Sequence, residues 1–343
     1  MNELIKNEDY KNWLVDLKTK IKTRQIKAAL SVNTELIMLY WEIGKMISEK
    51  QQLASWGSKI IEQVAKDLKH EFPDLTGFSA SNLKYSKRFF EFYANQISQQ
   101  LVDQFLNEYL AKIPWGHNIL ILTKSENSNQ ALFYIKETIS NNWSRSVLEY
   151  QIETDLYNRQ GKAVTNFKNT LPQYNSDLAN SILKDPYNFD FLALSNKVKE
   201  KELETKLVEH ISQFLLELGK GFAYMGRQFL LKVGTKEFRT DLLFYHVKLR
   251  CYIVIELKTV EFEPEFAGKL GFYVTAINEI LKSEYDNQTI GILLCKTKDN
   301  LVVDFALKDV NKPIGVSEFS YKELPENIKN ELPSFEELKN EIF

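Results

Sequence analysis

The chain has 343 residues, 44% of them hydrophobic, with 22 Phe, 16 Tyr and a formal charge of −2 from 44 basic and 46 acidic side chains. That is enough for two domains of roughly 150 to 180 residues, each with its own core, and the near-neutral balance means that affinity for an anionic polymer has to come from local patches. No apolar run approaches the roughly 20 residues of a membrane span, and the polar, acidic start MNELIKNEDYKNW lacks the order of a secretory signal, so a cytoplasmic protein without membrane contact is expected.

Residues 1–165 read as almost wholly helical, with apolar positions returning at steps of three and four, as at Trp56, Ile60, Ile61, Val64 and Leu68. Within them, WGSKIIEQVAKDLKHEFPDLTGFSASNLKYSKRFFEFY predicts a helix from Trp56 to His70. A turn holding Pro and Gly follows, then a second helix opened by Ser79 or Ser81. Leu83, Ser86, Phe90, Tyr93 and Ile97 form the inward stripe of that helix. Ser81, Lys84 and Arg88 point outward with Lys87 at the edge, a face able to bind DNA phosphates or reach base edges. The plainer reading is a solvated basic face in an ordinary helix pair. IPWGHNILIL reads as a buried aromatic turn, and Ser146 with Glu149 as a capping box. The period then fades through turn formers and two prolines, which places a linker over residues 166–195.

From residue 196 to 343 the pattern changes. A helix through KELETKLVEHISQFLLELGK ends near Gly219, and strands follow at RQFLLKV, TDLLFYHV and CYIVIEL. Next come a helix from Pro264 to Leu281, a strand TIGILLCK and a last strand near PIGVSEFSY. Ser334 and Glu337 predict a short closing helix. Cys251 and Cys295 lie inside apolar strands and read as reduced core residues. The four histidines form no metal or triad spacing, and His246 reads as a strand residue beside a turn.

The chemistry concentrates in DLLFYHVKLRCYIVIELK. If its two strands form a hairpin through Lys248 and Leu249, partner numbers sum to 497 and Asp241 faces Glu256, with Lys258 on the same face. Opposed carboxylates with Cβ atoms about 5 Å apart destabilise a sheet unless something compensates. A divalent cation does so: Mg²⁺ takes one or two carboxylates and leaves places for water and phosphate. An adjacent lysine can orient water and oppose charge developing on phosphorus. The competing reading is a solvated Asp241 beside a local Glu256 and Lys258 ion pair. It sits poorly with Leu242, Phe244, Ile253 and Ile255, which make the opposite face apolar and the strand central.

An acidic first helix, an Asp opening the second strand, Glu-x-Lys closing the third, then a helix and a strand resemble the PD-(D/E)XK nuclease core, with Thr240 where the motif has Pro. The stretches GRQFLL, DLLFYHVKLRCYIVIELK, FEPEFAGKLGFYVTAINEIL and TIGILLCK resemble its YhcG-like branch of large bacterial proteins. That resemblance implies a mixed α+β and α/β chain, with a mostly helical, winged-helix-like first domain ahead of a restriction-endonuclease-like αβββαβ core. It implies Mg²⁺ or Mn²⁺ held by Asp241, Glu256 and the Leu257 carbonyl, Lys258 serving the attacking water, and Glu217 as the first-helix carboxylate. Gln228 would approach the site from the first strand. Lys269 and Tyr273, one helical turn apart, would meet a backbone phosphate, although packing is the simpler role for Tyr273. The expected activity is DNA endonuclease, of the kind used in repair, restriction or defence against mobile elements, with DNA as partner and self-association as a further candidate. The alternative is a non-catalytic nucleic-acid-binding or assembly protein that keeps the nuclease fold.

Overall fold

The structure is a computed structural model that describes residues 8–53, 59–94, 105–194 and 198–322. It divides into two compact units, residues 1–153 and 154–343.

In the first unit the helices are α1 (Glu8–Leu53), α2 (Lys59–Glu71), α3 (Ala80–Ala94), α4 (Trp115–Lys124), α5 (Ser128–Asn141) and α6 (Arg145–Glu153). The C-terminal part of α1 buries Ile37, Tyr40 and Trp41. A Cβ on Gly44 would run into the Ser86 carbonyl oxygen, so glycine lets α3 lie close there. Ser79 opens α3, its hydroxyl accepting from the Asn82 amide at 3.2 Å. The buried stripe of α3 is Leu83, Ser86, Phe89 and Tyr93; Phe89 takes the place expected of Phe90, and Ile97 lies outside the described residues. Phe89 packs edge-on against Trp41 at 5.8 Å and Trp115 at 5.1 Å between ring centroids. The IPWGHN stretch is not the buried turn expected: Trp115, Gly116 and His117 form the half-buried first turn of α4, where Trp115 donates to Asn82 at 2.7 Å and the Asn118 amide donates to the Leu110 and Ile113 carbonyls. At α6 the helix is opened by Ser144, whose hydroxyl accepts from the Val147 amide at 3.3 Å, so the expected Ser146 capping box does not form. Among the described residues of this unit there is no strand, hence no wing beside the helix pair.

The second unit is built on a mixed sheet. Its strands are β1 (Val164–Thr165), β2 (Tyr187–Asn188), β3 (Phe222–Val233), β4 (Lys236–His246), β5 (Cys251–Glu261), β6 (Ile290–Thr297) and β7 (Ile314–Ser320), in the order β1-β7-β6-β5-β4-β3 with β2 also on β7. The β3–β4–β5 meander is antiparallel, while β5, β6 and β7 run parallel. The longer helices of the unit are α7 (Gln173–Ile182), α8 (Glu200–Glu209), α9 (Ile211–Leu218), α10 (Pro264–Ile280) and α11 (Asn300–Leu307). Phe214, Leu242, Phe244, Ile253, Ile255 and Leu257 share one core. Leu243, Val254, Leu270, Ile277, Leu293 and Cys295 share the other. Both faces of β5 are therefore covered, which is why CYIVIEL is an unbroken apolar run rather than an alternating one.

Two boundaries differ from expectation. Residues 166–194 of the expected linker are folded into the unit: β2 pairs with β7, and Phe167, Leu183, Tyr187 and Phe189 are fully or almost fully buried in the sheet's core. Asn166 ties this stretch down, donating to the Val310 and Lys312 carbonyls and accepting from the Ile314 amide at 2.9 Å. Pieces of two strand residues carry no readable period, and that hid them. The single helix expected before Gly219 breaks at His210 into α8 and α9. Helix α11 was not expected; Asp299 caps it by accepting from the Leu301 amide at 2.8 Å. The closing helix expected from Ser334 lies outside the described residues.

Candidate active site

The hairpin forms in the anticipated register: Leu242 pairs with Ile255, and the pairing runs to His246 with Cys251. One step further, Asp241 and Glu256 interlock. The Asp241 amide donates to Glu256 Oε1 at 3.1 Å, and the Leu257 amide donates to Asp241 Oδ2 at 2.9 Å. Each carboxylate is thus held by the other's strand. Burial pushes the Asp241 carboxyl up, and burial together with the Asp241 charge pushes Glu256 up. Two buried acids that resist ionising side by side are a natural site for a cation.

The amines are placed on either side. Lys269, on α10, meets Glu256 Oε2 at 2.9 Å and lies 5.3 Å over the Tyr273 ring. Tyr273 itself is 4% exposed and packs in the core. Lys258 Nζ meets Glu200 Oε2, on α8, at 2.8 Å and the Leu257 carbonyl at 3.1 Å, and lies 5.4 Å from the Phe266 ring centre. Gln228, between the paired positions Arg227–Leu242 and Phe229–Thr240, is the strand neighbour of Asp241. Its φ of 47° is left-handed, a costly conformation for a residue other than glycine, and its amide donates to Glu204 Oε2 at 2.5 Å. Burial raises the Glu204 carboxyl, and Asp241 adds to the effect.

Glu217 is not part of this group. It is fully buried on α9, 2.6 Å from Arg159 and 3.7 Å from Lys184, and accepts from the Asn188 amide at 2.8 Å. The break at His210 separates the two helical halves, so the first-helix acids beside Asp241 are Glu200 and Glu204 of α8. Their spacing of four residues, interleaved with the apolar pair Leu203 and Leu207, was the signal available in the sequence.

Asp241, Glu256 and the Leu257 carbonyl make a set of hard oxygens suited to a small divalent cation. Among the described residues, no group of three or more His, Cys, Asp or Glu side chains is placed to hold a metal ion. On α3, Lys84 faces Glu62 at 3.7 Å, Lys87 faces Glu91 at 3.6 Å, and Arg88 donates to the Leu122 carbonyl at 3.2 Å, with Ser81 exposed beside them.

Residues 180–333 match the YhcG PDDEXK nuclease domain, and residues 16–159 match the DUF1016 N-terminal domain. By the first of these matches, residues 180–333 belong to the YhcG-like PD-(D/E)XK nucleases. It is 29% identical to YhcG of Escherichia coli (strain K12) over 94% of this chain and 90% of that protein. Among solved structures, it is similar to the EndoMS-dsDNA2 complex, with 22% identity, 39% of this chain and 47% of that chain covered, and a TM-score of 0.27. A repair endonuclease from Pyrococcus abyssi gives 18% identity, 38% and 50% coverage, and a TM-score of 0.25. The match thus spans about half the length of these solved chains. No helix among the described residues is long and apolar enough to cross a membrane.

Proposed function

We propose that the second unit is a metal-dependent endonuclease that hydrolyses DNA phosphodiester bonds with Mg²⁺ or Mn²⁺. The observation that carries this reading is the Asp241 and Glu256 pair, interlocked across β4 and β5 with Lys258 two residues on. Asp241, Glu256 and the Leu257 carbonyl hold the cation. When bound there, a divalent ion polarises the scissile phosphate and lowers the pKa of a water. The Lys258 amine, kept in place by Glu200 and the Leu257 carbonyl, orients the attacking water and opposes negative charge developing on the phosphate oxygens. Lys269 balances the second oxygen of Glu256 and offers an ammonium to the phosphate. Glu204 and Gln228 set the wall of the site next to Asp241. This reading places the scissile phosphate on the second unit, beside the interlocked Asp241 and Glu256.

The test is incubation of the full chain with labelled duplex, nicked, branched and single-stranded DNA, and with RNA, in the presence and absence of Mg²⁺ or Mn²⁺. Metal-dependent cleavage of DNA that disappears in Asp241→Ala supports the reading. Binding without cleavage of any substrate would instead support a non-catalytic nucleic-acid-binding protein on a nuclease fold.

A further inference from the structure

The β3–β4 hairpin is longer than the sheet it belongs to. Pairing of β4 with β5 begins only at Leu242, whereas β3 and β4 pair onward through five more rungs, from Phe229 with Thr240 to Val233 with Lys236. At the usual rise this is a two-stranded ribbon reaching about 15 Å beyond the interlocked carboxylates. It is anchored: Leu231 is fully buried, and Phe238 packs on Phe272 of α10 with ring centres 4.7 Å apart. A two-residue turn closes it, with Gly234 at a left-handed φ of 61°.

Its charge is one-sided. Arg227, Lys232, Lys236 and Arg239 are exposed, against Glu237 alone, so four cations less one anion leave +3 on a chain whose total is −2. Lys232 and Glu237 meet at 3.4 Å with side chains 68% and 57% exposed, a contact too well solvated to hold the lysine. At the base of the ribbon, Arg227 and Arg239 line an open groove of about 600 Å³ together with Asp241, Glu200 and Glu204. Arg239 is steadied by donating to the Gln228 carbonyl at 3.1 Å.

We propose that this ribbon is a duplex-DNA arm: Arg227 and Arg239 hold backbone phosphates next to the scissile one, and Lys232 and Lys236 at the tip hold phosphates further along the same duplex. The major groove, about 12 Å wide, admits a two-stranded ribbon, and an edge hairpin anchored on one side presents its free basic side chains in that form. Phosphates along one side of the cut would be held by the same hairpin that carries Asp241. The proposal rests on the nuclease reading for the position of the scissile phosphate.

The test is a titration of the full chain with a labelled duplex, and with one of its strands alone, in Ca²⁺, which accepts oxygen ligands while supporting such chemistry poorly. Affinity is followed from about 50 to 200 mM salt. Lys232→Ala/Lys236→Ala should lower the slope of log affinity against log salt by about 1.8 for the duplex, two phosphates at about 0.9 each. Its effect on the single strand should be much smaller. Arg239→Ala should lower the duplex slope by about 0.9 and Arg239→Lys should restore it. Thermal melts matching wild type show that the tip variants are folded. Unchanged duplex slopes overturn the arm, even if wild type cleaves duplex in Mg²⁺ and the nuclease reading stands. Equal losses on duplex and single strand overturn the duplex assignment. Ribbon-dependent slopes in a protein that never cleaves uphold the arm and remove the nuclease reading, and a wild type that binds neither DNA overturns the arm outright.

Discussion

Glu217→Gln and Glu204→Gln separate stability from chemistry in one helical region. Glu217 is fully buried between Arg159 and Lys184, so its amide variant leaves two buried cations facing a neutral group. Removing one partner of a buried ion pair costs about 3 to 5 kcal/mol. For a unit spanning residues 154–343, each kcal/mol moves the melting temperature by roughly 2 to 4 °C, so a drop of about 6 to 20 °C is expected. Because Arg159 also holds the Thr154 and Pro186 carbonyls, the loss should loosen the stretch from 154 to 188 first. Below its lowered melting temperature, Glu217→Gln should still bind metal and cleave. Glu204→Gln keeps an acceptor for Gln228, should change stability by less than about 1 kcal/mol, and should slow cleavage by about 10²-fold through lost electrostatic control beside Asp241. Differential scanning calorimetry and a plasmid-nicking assay on both variants decide the matter. A Glu217→Gln protein with unchanged melting and no cleavage, beside a Glu204→Gln protein that cuts normally, would refute the assignment.

Asp241→Ala and Glu256→Ala should each abolish Mn²⁺ binding by calorimetry while raising the metal-free melting temperature, since each relieves one buried like-charge neighbour. Lys258→Ala should bind DNA and metal as wild type does but cleave about 10² to 10⁴ times more slowly, in the range for an acid-base or electrostatic group; a wild-type rate would remove Lys258 from the chemistry. His246 is buried with Nδ1 accepting from the Leu249 amide, and burial lowers its pKa from 6.5 to about 4. Between those values the unfolded chain binds the proton and the folded one does not, so its contribution, about 3 kcal/mol in full, is present above pH 6.5 and lost as the pH falls toward 4. In His246→Asn, melting measured across that window should depend less on pH than in wild type.

The site was legible where its geometry is local. Alternation of period two, a short turn and the apolar partners Leu242 with Ile255 and Phe244 with Ile253 were enough to set the hairpin register, and with it Asp241 beside Glu256. The strands β3 to β7 and helix α10 followed from the same short-range periods, as did the burial of Cys251 and Cys295, whose thiols burial pushes up to about 12. The first-helix acid was misassigned to Glu217, because the helix break at His210 lies within one continuous apolar period and does not interrupt it.

By itself, then, the sequence determined the strand order of the meander, the opposed carboxylates and the lysine two residues on, since each depends on neighbours within one hairpin. Only the tertiary structure decided that Glu200 rather than Glu217 meets Lys258, and that Lys269 of α10 balances Glu256. It also placed residues 154–194 in the second unit, on the far edge of its sheet. Those contacts join residues from separate elements, brought together by burying both faces of a central sheet, and no period along the chain encodes which charged side chain will stand at the end of such a packing.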